Sequence, residues 1–224
     1  LHRRDICGNE FSWLPGRHCG DEEAKLRDER LKTIYLLRHG DIDGRGRYIG
    51  STDLPLSDRG RRQVLALAPS LAHTPINAVL CSPMRRCRET WESLSLPAPG
   101  KLCADLREAD FGRWEGLRFA EIAAADSGLV DRWATADPSF AFPGGESLID
   151  FRQRVTAAWE MMRGVDGDCL LVISHGGVIR HLLCLALDLP WEKHLLFEIG
   201  LASCTTLALY SAGAVLTGLN HRGV

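Results

Sequence analysis

Three short apolar runs, 33–37, 77–81 and 169–173, show no alternation of polar and apolar positions. Continuous runs of this length fit strands covered on both faces, as in a parallel sheet. Between them the period changes to that of a helix. Val64, Leu67, Ala68 and Leu71 share one helical face behind Ser57, which suits an N-cap, and Pro69 should kink or end that helix. Leu148, Phe151, Val155, Ala158, Trp159 and Met162 step at helical spacing and predict a helix over 146–163, with another over 178–187. The stretches 203–209 and 215–219, around Ala212 and Gly213, read as a terminal antiparallel hairpin. Strands alternating with helices imply an α/β fold, a three-layer sandwich whose central sheet is mostly parallel with helices on both faces.

Residues 1–31 read differently. Phe11, Trp13 and Leu14 sit among glycines and Pro15, and a charged run follows from Asp21 to Lys32. So few apolar residues make a weak core element. The segment reads as an N-terminal extension, a linker or the tail of a preceding domain, with one domain over 32–224. The chain begins with Leu1 rather than Met, which suits a piece of a longer protein carrying a fusion partner ahead of it.

Composition narrows the partners. Of 224 residues, 45% are hydrophobic and 25% charged, ordinary for a soluble globular protein. A net charge of -2 gives no global drive toward nucleic acid or an anionic membrane, so any anion must be held by local clustering. No apolar run approaches the roughly 20 residues of a membrane span. Among eight cysteines there is no CxxC pair. Cys81, Cys103, Cys169, Cys184 and Cys204 lie in apolar surroundings and read as small hydrophobes, while Cys7, His18 and Cys19 are too few for a tetrahedral metal site. A reduced, cytoplasmic protein without a metal is expected.

The chemistry gathers where the apolar runs end. The first ends in Arg38-His39-Gly40, whose glycine lets backbone approach a ligand. The second ends in Ser82-Pro83 ahead of a helix bearing Arg85, Arg86 and Arg88, and the third in Ser174-His175-Gly176-Gly177 ahead of another. Ligands of open α/β sheets bind beyond the carboxyl ends of strands, and helix N-termini favour anions. A pocket holding Arg38, Arg86, His39 and His175 would be strongly cationic, and its natural occupant is a phosphoryl group.

With "YIGSTDLPLSDRG" at 48–60, "SPMRRCRET" at 82–90, "LREADFGRWEG" at 106–116, "PGGES" at 143–147 and "SHGG" at 174–177, the chain from about 32 to 220 resembles the histidine phosphatase superfamily, the phosphoglycerate mutase-like proteins. The resemblance implies a metabolite phosphatase without cofactor. His39 would attack phosphorus and become a phosphohistidine. Arg38, Arg86 and His175 would hold the equatorial oxygens, and Glu108 would protonate the leaving oxygen and then activate water. Gly176, Arg45 and Arg47 join Arg38, Arg86 and His175 as substrate-binding candidates. His39 must be neutral to attack, and neighbouring arginines would keep it so.

Other residues have plainer readings. His73, His181, His194 and His221 read as structural or surface residues, Arg113 and Trp114 as packing of the loop after Glu108, and Arg61 and Arg62 as a solvated helix face. Arg85 and Arg88 face solvent or other helices. The loop after His39 departs from relatives: Asp43 stands where a phosphate-touching asparagine is usual, and would repel the ligand unless Arg45 or Arg47 pairs with it. After Glu108, Asp110 places a carboxylate beside the pocket, which opposes a second phosphate and favours hydrolysis over mutase chemistry. The "DFGRWEG" stretch resembles that of α-ribazole phosphatases of cobalamin synthesis. A phosphoglycerate mutase and a binding module without turnover are the alternatives, and a homodimer remains open.

Overall fold

A computed structural model describes residues 30–222 of the chain, so Cys7, His18, Cys19 and the expected tail lie outside the described residues. Strands β1 (Arg30–Arg38), β2 (Ala78–Cys81), β3 (Gly100–Leu102), β4 (Cys169–Ser174), β5 (Cys204–Tyr210) and β6 (Gly213–His221) form one sheet in the order β3-β2-β4-β1-β5-β6. The first four in that order run parallel, and β5 and β6 add an antiparallel hairpin. The helices are α1 (Asp58–Ala72), α2 (Arg85–Leu94), α3 (Phe119–Ala125), α4 (Ser127–Ala134), α5 (Leu148–Gly164) and α6 (Gly176–Ala186).

Strand pleating sorts the core into two layers. Ile34, Leu36, Leu80, Leu170 and Val172 face α5 and α6, whose Val155, Ala158, Met162, Ile179 and Leu182 are buried against them. Leu37, Val79, Cys81, Leu171 and Ile173 face the other way, toward Val64, Leu67 and Leu71 of α1 and Cys87 and Leu94 of α2. The sheet is therefore covered on both sides at β1, β2 and β4, and this is why these strands show no polar alternation. β1 starts two residues before Lys32. The Lys32 ammonium is buried and donates to the carbonyls of Met162, Arg163 and Val165, closing the C-terminal end of α5.

Helix α1 departs from expectation, because it continues through Pro69 to Ala72. Proline removes the bond to the Leu65 carbonyl, but Leu65 is 56% exposed, so water can take that acceptor while buried Leu67 and Leu71 hold the opposite face. Ser57 is its N-cap, accepting from Gly60 N–H at 3.0 Å. Helices α3 and α4 and the three-residue β3 went unpredicted. α3 buries only Ile122 and α4 no residue, so neither writes an apolar stripe into the sequence.

Six cysteines, Cys81, Cys87, Cys103, Cys169, Cys184 and Cys204, are buried free thiols, and burial pushes Cys81 and Cys204 up to about 12. Among the described residues no helix is long and apolar enough to cross a membrane.

Candidate active site

The sheet order β2-β4-β1 sets three strand ends side by side. His39 N–H donates to the Ser174 carbonyl at 3.0 Å, and Ser82 N–H to the Ile173 carbonyl at 2.9 Å. Gly40 serves the scaffold here: a Cβ on it would fall 2.7 Å from the Gly60 carbonyl oxygen of α1. Its missing side chain admits α1 rather than a ligand.

His39 is only 4% exposed, and its Nδ1 lies 2.7 Å from the Gly40 carbonyl. A carbonyl only accepts, so Nδ1 carries the proton and Nε2 keeps a free lone pair. Burial first, and then the charges of Arg38 and Arg86, hold the imidazole well below its usual value. The arginines anticipated from sequence contribute, but desolvation leads. The ring of His175 stands edge-on to His39 at 5.1 Å and is likewise kept neutral, by burial and then by Arg86.

Arg86 is a fully buried guanidinium with every nitrogen engaged. It donates from Nε to His175 Nδ1 (3.2 Å), from Nη1 to the Thr52 carbonyl (2.9 Å) and from Nη2 to the Gly50 carbonyl (2.8 Å). Because Arg86 occupies Nδ1, His175 carries its proton on Nε2, which meets Ser82 Oγ at 2.8 Å. Both nitrogens of His175 thus have protein partners in this arrangement. Arg38 differs. Its Nη1 donates to the Ile199 carbonyl at 2.5 Å, while its Nε is buried with no hydrogen-bond partner among the described residues. An unsatisfied buried donor costs about 1–3 kcal/mol, more on a charged group, so Nε calls for an acceptor.

Glu108 reaches the same space from the loop after β3. Its Oε2 accepts from Gly177 N–H at 3.0 Å and its Oε1 from Ala109 N–H at 3.2 Å. The loop is stapled from below by Arg154 of α5, which donates to the carbonyls of Asp105, Arg107 and Glu108 and forms a bidentate pair with Glu146 (2.6 and 2.8 Å). A neutral histidine with an open Nε2, a guanidinium with an unpartnered donor, a second buried guanidinium and a carboxylate at a helix N-terminus make a site that can bind an anion, attack it and move one proton.

The profile of the histidine phosphatase superfamily, branch 1, matches residues 34–222. The chain belongs to this superfamily. A bifunctional protein of Mycobacterium tuberculosis is 38% identical over 187 residues, covering 81% of this chain and 51% of that protein. The chain thus spans about half the length of that relative. A glucosyl-3-phosphoglycerate phosphatase of Mycolicibacterium vanbaalenii is 31% identical over 192 residues, covering 80% of this chain and 85% of the relative. Among solved structures, the α-ribazole phosphatase of Shigella flexneri superposes with a TM-score of 0.75 at 26% identity, covering 86% of this chain and 98% of that one.

Other residues around the site take places the sequence did not disclose. Glu115 gathers the backbone N–H groups of Gly50, Ser51, Thr52 and Phe111, and so holds the carbonyls that grip Arg86. Arg45 is exposed. Arg47 turns to the Gly116 carbonyl at 2.6 Å and to Glu121 at 3.7 Å while edging the cavity beyond the histidines. Asp41 is buried against Ser57 Oγ (3.0 Å), and Asp43 is exposed. Asp110 accepts from Ser51 Oγ and Gly112 N–H and lines a separate polar cleft of about 360 Å³ that shares Glu108 with the main cavity. Arg85 and Arg88 face solvent, and Trp114 is fully buried in an aromatic cluster with Nε1 donating to Asp126.

The main cavity of the site, about 400 Å³, opens from Arg38, Glu108, Gly176 and Gly177 onto a wall of Tyr48, Phe111, Trp133 and Phe142. His181 and His194, read from sequence as structural or surface residues, also line it. Their rings stack at 4.5 Å, and burial drives His181 down to about 3.

Proposed function

We propose that this protein is a phosphomonoesterase that works through a phosphohistidine on His39. The observation that carries the reading is the pairing of an unprotonated His39 Nε2 with the unpartnered, buried Nε of Arg38. In the first step, Nε2 forms a bond to phosphorus as the ester P–O bond breaks, and Glu108 gives its proton to the leaving oxygen. In the second, Glu108 takes a proton from water, whose oxygen displaces Nε2 and yields inorganic phosphate. Arg38 and Arg86, the latter aligned by His175, balance charge on the equatorial oxygens at fixed positions, the electrostatic work that dominates phosphoryl transfer.

The substrate is a small phosphorylated metabolite, and the likeness to the Shigella enzyme makes α-ribazole phosphate one candidate.

The test is hydrolysis of p-nitrophenyl phosphate in the presence of EDTA, with acid-labile, base-stable labelling of the protein followed after rapid mixing. The wild type should turn over and label, and His39→Ala should lose at least roughly a thousandfold in kcat together with the label. A rate that survives His39→Ala overturns the mechanism. Interconversion of phosphoglycerates in place of phosphate release would establish a mutase, and phosphate binding without turnover a binding module.

A further inference from the structure

Arg180 stands one helical turn beyond Gly176 on α6. A rise of 1.5 Å per residue sets it about 6 Å along the axis from the N-terminus where the phosphoryl site lies. It lines the main cavity, half-buried, and its Nε is fixed on the Phe197 carbonyl at 2.8 Å. It forms no ion pair with a carboxylate of the described residues. Its neighbours do not neutralise it. Glu108 is the only carboxylate among the cavity's lining residues, and its oxygens serve Gly177 and Ala109. His181 and His194 are neutral rings, and Arg47 is spent on Gly116 and Glu121. The cavity therefore holds one cation beyond those committed to phosphate, set among aromatic faces.

Resting on the phosphatase reading, we infer that Arg180 docks a carboxylate on the leaving group. The substrate is then a phosphomonoester whose ring-bearing body joins the phosphate to a single carboxylate about one helical turn away. One uncompensated guanidinium matches the charge of a carboxylate better than that of a second phosphate, and its planar fork suits two parallel hydrogen bonds. Tyr48, Phe111, Trp133 and the stacked histidines supply flat apolar faces for the body between the two anions.

The experiment compares phenyl phosphate with 3-carboxyphenyl phosphate, two esters whose leaving phenols are of nearly equal acidity. The wild type should favour the carboxylated ester by roughly tenfold or more in kcat/KM, chiefly through KM, as expected for a charge-assisted hydrogen bond. The ratio should fall toward one in Arg180→Gln and be partly kept in Arg180→Lys. Equal efficiency on the two esters in the wild type, or a preference that persists in Arg180→Gln, overturns the inference. Should Arg180→Gln not fold, the wild-type ratio decides alone. If neither ester is cleaved, the phosphatase reading falls and this inference with it, whereas cleavage of both without preference overturns this inference only.

Discussion

Gly177 gives its backbone N–H to Glu108 Oε2 at 3.0 Å, and a Cβ on Gly177 would fall 2.5 Å from Glu108 Oε1. The carboxylate is thus seated by a helix N-terminus that must have no side chain there. In Gly177→Ala the carboxylate is pushed off its donor, and kcat should fall at least roughly tenfold. Alanine is the better helix former by about 0.5–1 kcal/mol, so thermal stability should hold or rise. Melting curves and kcat moving in opposite directions would bear this out, and an unchanged kcat would refute it.

Arg86 spans His175, Thr52 and Gly50 with three separate nitrogens. A lysine ammonium is a point donor and cannot reach all three. Arg86→Lys should therefore cost about 1–3 kcal/mol in stability for the acceptors left unpaired, and reduce kcat by roughly a hundredfold or more. Chemical denaturation and steady-state kinetics measure the two effects separately.

The bidentate Arg154–Glu146 pair sits beneath the loop that carries Glu108, and Arg154 meets Glu108 at its backbone carbonyl rather than at its carboxylate. Its influence is therefore on position. Arg154→Lys should lower kcat more than it raises KM for an aryl phosphate. The reverse split would place Arg154 in substrate binding instead.

Four buried histidines set an acid limit on stability. Burial lowers His39, His175, His181 and His194 from the usual value of 6.5, so above that pH they are neutral whether folded or not. Below it the unfolded chain takes up protons that the folded one refuses, and stability falls with falling pH by about 1.4 kcal/mol per unit for each such group. For His181 the loss runs on to about pH 3. Denaturation between pH 7.5 and 5 should show this slope, and His181→Phe should make it shallower. A flat profile over that range would contradict the burial argument.

What could be read from the chain was whatever neighbours in sequence decide. The apolar runs of β1, β2 and β4 and the stripe of α5 are local patterns, and the residues that follow them, Arg38-His39, Arg86 and His175, inherit their places from those elements. Glu108 was reached through its motif, not through any period. The seat of Glu108 was invisible because its partners Gly177 and Arg154 lie 69 and 46 residues away in sequence. Glu115 had no reading of its own within its motif, yet it organises Gly50 to Thr52 across more than sixty residues. His181 and His194 carried no motif, and only the packing of α6 against the turn at Trp191–Leu196 reveals them as a cavity wall. A doubled glycine after His175 was the one available hint that something must approach that helix closely.

The order of the strands has a consequence in time. His39 emerges early in synthesis, but the strand that separates β1 from β2 is complete, with His175 behind it, only when the chain has passed His175. Until then His39 has no Ser174 carbonyl to anchor its backbone, and Arg86 has no His175 to align it. A chain interrupted before that point lacks both contacts, so the arrangement around His39 is completed in one late stroke rather than growing with length.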